Sequence, residues 1–303
     1  MYLDVWRIDF QRIITLFRPY AERAARASGL LISALLILVI YREFRTADLS
    51  FLHGNLLASP LFWSVFVASY SISPFCEWVV YNRLWGFDWQ AFPALLRKLI
   101  SNELLLGYLG EVQFTVWAHS RHDARVTPFH AVKDVTILSA LTGNFVTLAL
   151  LGFAWPLLST GQWGLLARPV FLGLAIVLGT SFVVLLARRQ IFSLARCELI
   201  EIAAIQTART LLALILSAIM WHIAIPGQPG SSWFVLATLR MLVSRLPLVP
   251  NKDLVFAGLT ILVLGPGTEV AGLMATMAGL IMLTHLVVGS ILVTADFVRT
   301  SRV

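Results

Sequence analysis

The chain has 303 residues, 58% of them hydrophobic and 13% charged, a formal net charge of +7 and a mean hydropathy of +0.82. Soluble domains carry about 25% charged residues, so the composition excludes an ordinary soluble protein and points to a polytopic membrane protein. The basic residues form no continuous soluble patch, which argues against nucleic-acid binding, and Cys76 and Cys197 supply neither a disulfide framework nor a metal cluster.

Residues 1–26 mix charged side chains such as Asp4, Arg7 and Arg12 with Trp6, Phe10 and Phe17, the pattern of an amphipathic helix on the inner leaflet. A first apolar run at 27–41 is long enough to cross if extended back to about Arg23. Residues 42–59 are polar. A second span is expected at about 56–80, with Pro60 near its start and Pro74 inside it. Residues 81–90 are interfacial, with Trp85 and Trp89 as belt residues.

Residues 92–117 are too apolar for a loop and too charged for an ordinary span. Arg97, Lys98, Asn102, Glu103 and Glu111 all fall inside them. An ionisable group at bilayer depth costs roughly 2.5 to 3.5 kcal/mol and survives by pairing or by facing a water-filled cavity. A polar loop at 118–134 follows, then spans at 135–158, 170–187 and 199–225, and an uncharged turn at 226–231. Residues 232–264 form a second charged apolar stretch. A last span at 268–294 ends the series. Leu96-Arg97-Lys98-Leu99-Ile100-Ser101 recurs as Leu239-Arg240-Met241-Leu242-Val243-Ser244, 143 residues later.

Loops 1–26, 118–134, 188–196 and the C-terminus are basic, whereas 159–168 and 226–231 are cation-poor. The positive-inside rule then places both termini in the cytoplasm of a bacterial inner membrane. Loop 42–59, with Arg42 and Arg45, breaks the pattern. Each charged stretch must begin and end on the same side, and neither is long enough for two crossings. Both read as re-entrant helical hairpins, one opening to the cytoplasm and one to the periplasm. The expected fold is an all-α polytopic membrane protein. It has about six transmembrane helices plus two re-entrant hairpins in an inverted repeat, with halves at 27–158 and 165–295 of a single membrane domain. Transporters built this way bind their substrates where broken helices meet near the midplane.

The first break is expected near Ser101-Asn102, which are good N-caps, with Glu103 at the positive end of the next half-helix. Gly107 and Gly110 allow close approach, and Tyr108 and Glu111 continue that helix. On the plainer view, Glu103 and Glu111 only neutralise Arg97 and Lys98. The second break is expected between Arg245 and Asp253, where Pro247 and Pro250 interrupt the helix and Asn251 or Asp253 caps the next one. Arg240, Arg245 and Lys252, with Arg97 and Lys98, make a basic pocket suited to a phosphate headgroup. The plainer view has Arg245 and Lys252 snorkelling to an interface. Arg209 joins the pocket or pairs with Glu198 or Glu201. Asn144 is expected in a helix–helix hydrogen bond, and His222 and His285 in core or interfacial roles. No cofactor or metal is expected.

At the two charged stretches the sequence resembles the flippase-like membrane superfamily, which includes the transmembrane region of lysylphosphatidylglycerol synthases. The resemblance rests on Asn102-Glu103-Leu104 with Gly110-Glu111, and on Arg245-Leu246-Pro247-Leu248-Val249-Pro250. The family's glycine-rich turn and downstream glutamate become Asn251-Lys252-Asp253 here, and no soluble synthase domain is expected. The resemblance implies translocation of a lipid or lipid-linked molecule between leaflets. The candidate binding residues are Arg97, Asn102, Glu103, Tyr108, Glu111, Arg240, Arg245, Asn251 and Lys252, holding an anionic or lipid-linked headgroup. The alternatives are an integral membrane enzyme using Glu103 or Glu111 as general acid or base, and a scaffold that partners another membrane enzyme without transporting anything.

Overall fold

Residues 59–105, 108–121, 127–158, 191–246, 251–265 and 268–300 are described by a computed structural model, together with helical pieces at 173–175, 177–179 and 181–182. The expected amphipathic segment at 1–26 and first span at 27–41 lie outside the described residues, as does most of the expected span at 170–187. The described residues contain no strand. The chain divides into two units, Met1–Thr46 with Val293–Val303, and Ala47–Leu292; the site lies within the second.

Helix α1 (Pro60–Trp85) starts where the Ser59 hydroxyl accepts from the Phe62 backbone N–H at 3.3 Å, with proline at its first position. It runs through Pro74 and stops at Gly86, whose φ of 71° gives the left-handed cap that glycine adopts most readily. Asp88 then caps a 3-10 turn at Trp89–Ala91. This leads into a short helix pair, α2 (Phe92–Leu104) and α3 (Leu109–His119). Helix α4 (Pro128–Leu158) and helix α5 (Arg196–Ala224) follow. A second short pair is α6 (Gly230–Ser244) and α7 (Lys252–Leu264), and α8 (Glu269–Thr300) comes last.

Among the described residues, α4, α5 and α8 are long and apolar enough to cross a membrane. They occupy the spans expected at 135–158, 199–225 and 268–294. Leu211, Leu212, Ile215 and Ile219 of α5 are all exposed, an apolar surface that a soluble helix would not leave in water. The protein is therefore a helical membrane protein. Helix α1 covers the expected span at 56–80 and is long enough, but Ser64, Ser69, Ser71, Ser73 and Glu77 lower its hydropathy below that of the other three.

Two buried clusters hold the helices together. One gathers Phe62 from the start of α1, Ala154 from the end of α4, Trp221 from the end of α5 and Trp233 from the start of α6, with Leu264 from the end of α7. The other gathers Val80 and Trp85 from the end of α1, Leu95 from α2 and Ala118 from the end of α3, with Val132 of α4 and Ile202 of α5 near their starts. Helices α2 and α3 contribute to the second cluster, and α6 and α7 to the first along most of their lengths. The two pairs touch where the Asn251 backbone N–H donates to the Glu103 carbonyl at 3.0 Å.

The described helices recur in order and in similar length. Helices α1, α2, α3 and α4 have 26, 13, 11 and 31 residues, and α5, α6, α7 and α8 have 29, 15, 13 and 32. Tyr108 (φ 79°) and Asn251 (φ 48°) are left-handed residues, and each immediately precedes the second helix of its pair. They stand 143 residues apart, as do Leu96 and Leu239. The first break differs from expectation. The helix continues through Ser101 and Asn102 to Leu104, and the next helix begins at Leu109.

Candidate functional site

The first pair binds itself together with polar groups. The Asn102 amide oxygen accepts from the Gly110 backbone N–H at 2.8 Å, and its amide nitrogen donates to Glu111 at 3.1 Å. Asn102 therefore caps the following helix from across the turn, where Tyr108, in the capping position, makes no side-chain cap bond. Glu111 sits in the first turn of α3, where the helix dipole favours a carboxylate. Ser101 donates to Gln113 at 2.9 Å. A Cβ at Gly110 would run into the Lys98 carbonyl, so only glycine lets the two helices approach this closely.

Lys98 is the buried centre of this region, at 3% exposure. Its ammonium lies 2.9 Å from Glu77 of α1 and 3.7 Å from Glu111. Glu77 in turn lies 3.7 Å from the Arg209 guanidinium of α5. A chain of alternating charges thus runs from α3 through α2 and α1 to α5. The expectation that Glu111 neutralises Lys98 matches this geometry, but the principal partner is Glu77, from another helix. Arg97 points elsewhere and reaches the Leu292 carbonyl at 3.5 Å.

A cavity of about 270 Å³ lies where the pairs meet, lined by α1, α2, α5, α6, α7 and α8. Its charged residues are Glu103, Arg209, Arg240, Arg245, Lys252 and Asp253. Arg240 pairs with Asp253 at 2.8 Å and donates to the Ser217 hydroxyl at 3.0 Å. The Lys252 ammonium donates to the Ser244 carbonyl at 2.9 Å, neutralising the negative end of α6. Arg209 also donates to the Ser139 hydroxyl at 2.8 Å. Arg209, Arg245 and Lys252 line this one cavity, three like charges on a shared wall. A Cβ at Gly143 of α4 would collide with the Arg245 guanidinium, so Gly143 is its seat. Tyr70 and His285 add a hydrogen-bonded pair, hydroxyl to Nδ1 at 3.0 Å, on the same wall.

Of the nine expected binding residues, Glu103, Arg240, Arg245 and Lys252 line the cavity. Asn102 and Glu111 stitch the first pair instead, and Asn251 joins the two turns through its backbone. Tyr108 is exposed at the first turn and Arg97 lies off the cavity. Arg209 is in the wall rather than paired with Glu198 or Glu201. Glu198 accepts from the Ala195 backbone N–H, and Glu201 pairs with Arg83. Asn144 makes its expected helix–helix contact, donating to the Ser181 hydroxyl at 3.0 Å. His285 is buried, as expected of a core histidine, but it also faces the cavity.

Sequence reasoning missed Tyr70, Ser73, Glu77 and Ser217. A signal was present. Tyr70, Ser73 and Glu77 fall on one helical face, as do Gln206, Arg209, Thr210 and Ser217. Each set is a polar stripe on an apolar helix. It also missed Asp134, fully buried, whose carboxylate accepts from the Ser193 and Leu194 backbone N–H groups at 2.7 and 2.8 Å and anchors the start of α5. Among the described residues no group of three or more metal-ligating side chains gathers.

The chain matches no protein-family model, no curated protein and no solved structure. The class reached here, a helical membrane protein with a cation-rich cavity between two short helix pairs, therefore comes from its own residues.

Proposed function

We propose that the chain is an inner-membrane translocase for a lipid or lipid-linked headgroup. In this reading α2/α3 and α6/α7 are re-entrant hairpins within an inverted repeat of about six spans. The first opens to the cytoplasm, the second to the opposite side, and both termini are cytoplasmic. The observation that carries the reading is the meeting of the two turns, Asn251 N–H to Glu103 C=O, beside a cavity holding three arginines and a lysine. Broken helices that meet between opposite faces define the site of inverted-repeat transporters. Guanidinium forks suit phosphate oxygens. With the headgroup in the cavity and its chains in the bilayer, the charged part avoids the hydrocarbon. The resemblance to the flippase-like superfamily points the same way.

The test is reconstitution into liposomes carrying asymmetrically labelled lipids. Wild-type protein moves label between leaflets, and Arg245→Ala, folded and inserted to the same extent, does not. Equal movement by both removes the cavity from the mechanism. Absence of movement across phospholipids and polyprenyl-phosphate lipids, with well-folded protein, removes the translocase reading.

A further inference from the structure

The charges around the cavity divide into those with partners and those without. Arg240 has Asp253, Arg209 has Glu77, and Lys252 has the C-terminal carbonyl end of α6. Two charged groups stand apart. Among the described residues, the Glu103 carboxylate makes no ion pair and no hydrogen bond. Among the described residues, Arg245 donates only to the neutral Ser244 hydroxyl, at 3.0 and 3.1 Å. Both residues face the cavity. One belongs to each helix pair, beside its turn, and their signs are opposite. They make no ion pair with one another. Both are half-buried at the cavity, where a charge gains more from a paired partner than it would in open water, and a ligand in the cavity can supply one.

We propose that the cavity takes a zwitterion, with a phosphate-type anion on Arg245 and an ammonium on Glu103, bridging the two helix pairs. This rests on the translocase reading of the same site. Arg209 lines the same cavity and is a second donor for the anion. Tyr70 and Asp253 line the same cavity as Glu103 and give the ammonium oxygen neighbours, while Arg240 and Lys252 add to the positive side of that wall. The cavity, at about 270 Å³, lies at the small end of ligand pockets, roughly 300 to 1,000 Å³. It holds a headgroup and not a whole lipid. An amine-bearing phosphate such as phosphoethanolamine has this chemistry, either on a lipid or free in water.

The test is calorimetric binding to the purified full chain in detergent. Three probes are used: dihexanoyl phosphatidylethanolamine, dihexanoyl phosphatidylglycerol and soluble phosphoethanolamine. Wild-type protein is expected to prefer the ethanolamine lipid to the glycerol lipid by about tenfold, the scale of one charge-assisted hydrogen bond. Glu103→Gln collapses that ratio towards one, and Arg245→Ala weakens both lipids. Tight binding of soluble phosphoethanolamine supports the zwitterion site and assigns its ligand to water rather than the bilayer. A wild-type preference for the glycerol lipid, or none, overturns the proposal, as does a preference that survives Glu103→Gln. If Glu103→Gln does not fold, the wild-type ratio alone decides. Movement of the glycerol lipid in liposomes without any ethanolamine preference keeps the translocase reading and removes this one. Neither binding nor movement of either lipid removes both.

Discussion

The two short helix pairs carry similar residues and use them differently. In α2/α3 most polar groups are turned inward, Glu103 at the cavity and Arg97 being the exceptions. Lys98 is enclosed by Glu77 and Glu111, Asn102 bridges to Gly110 and Glu111, and Ser101 meets Gln113. In α6/α7 the charges face the cavity. Arg240 and Asp253 pair on its wall, Lys252 closes the end of α6, and Arg245 lies against Gly143 with a hydroxyl as its only hydrogen-bond partner among the described residues. The first pair is held by its polar groups. The second is packed by apolar side chains such as Trp233, Leu236 and Phe256, and of its cations Arg245 is the one that no carboxylate among the described residues reaches. An arginine or lysine in an apolar helix is therefore not a site by itself; it matters whether its charge is already matched within the fold.

The largest effect that distinguishes the pairs is expected at Lys98. Lys98→Ala leaves Glu77 and Glu111 facing each other without their cation. Breaking a buried pair in this way costs about 3 to 5 kcal/mol. The expected outcome is loss of monodisperse protein on size-exclusion chromatography and a collapsed unfolding transition. A stable Lys98→Ala protein would mean that the first pair is not held by its charges.

Gly110→Ala tests the same pair by volume. The new methyl group would press on the Lys98 carbonyl, which is backbone and cannot rotate away. Overpacking of this kind costs about 1 to 3 kcal/mol, read as a lowered midpoint of thermal unfolding. Gly143→Ala sharpens the contrast, because its neighbour is the mobile end of Arg245. Stability is expected to change little while headgroup binding weakens, since the guanidinium must leave its seat. Unchanged binding would show that Arg245 needs no fixed position.

The smallest effect is expected away from both pairs. Asn144→Ala removes the hydrogen bond to Ser181, and such bonds between membrane helices average about 0.6 kcal/mol. A slight fall in unfolding midpoint, with normal transport, is the expected result.

Much of this arrangement is legible in the sequence. Charges inside apolar stretches mark both pairs, and the break expected between Arg245 and Asp253 falls between the end of α6 and the start of α7. The first turn was displaced by a few residues. Asn102 looked like the cap of its own break, whereas it caps the next helix from across the turn. No local pattern states that choice, because it depends on how closely Gly110 lets the helices approach. The identity of Lys98's main partner was equally hidden. Glu77 lies 21 residues earlier on α1, and only the packing of α1 against α2 brings it near. The cavity wall was half legible for the same reason: Arg240 and Arg245 stand in the unusual stretch, whereas Arg209 and Tyr70 sit in helices that read as ordinary spans.

The central claim is that the two pairs enter from opposite faces and meet at their turns. It is tested by the side on which their open ends are found. In a background with Cys76 and Cys197 replaced, single cysteines are placed by Asp88→Cys and Ser120→Cys at the ends of the first pair. Ser231→Cys and Thr268→Cys mark the ends of the second. All four positions are exposed. In sealed vesicles of one orientation, a membrane-impermeant maleimide is expected to label one couple and leave the other untouched until lysis. Labelling of Asp88→Cys from one side and Ser120→Cys from the other would mean that the first pair crosses the membrane, and would contradict the account.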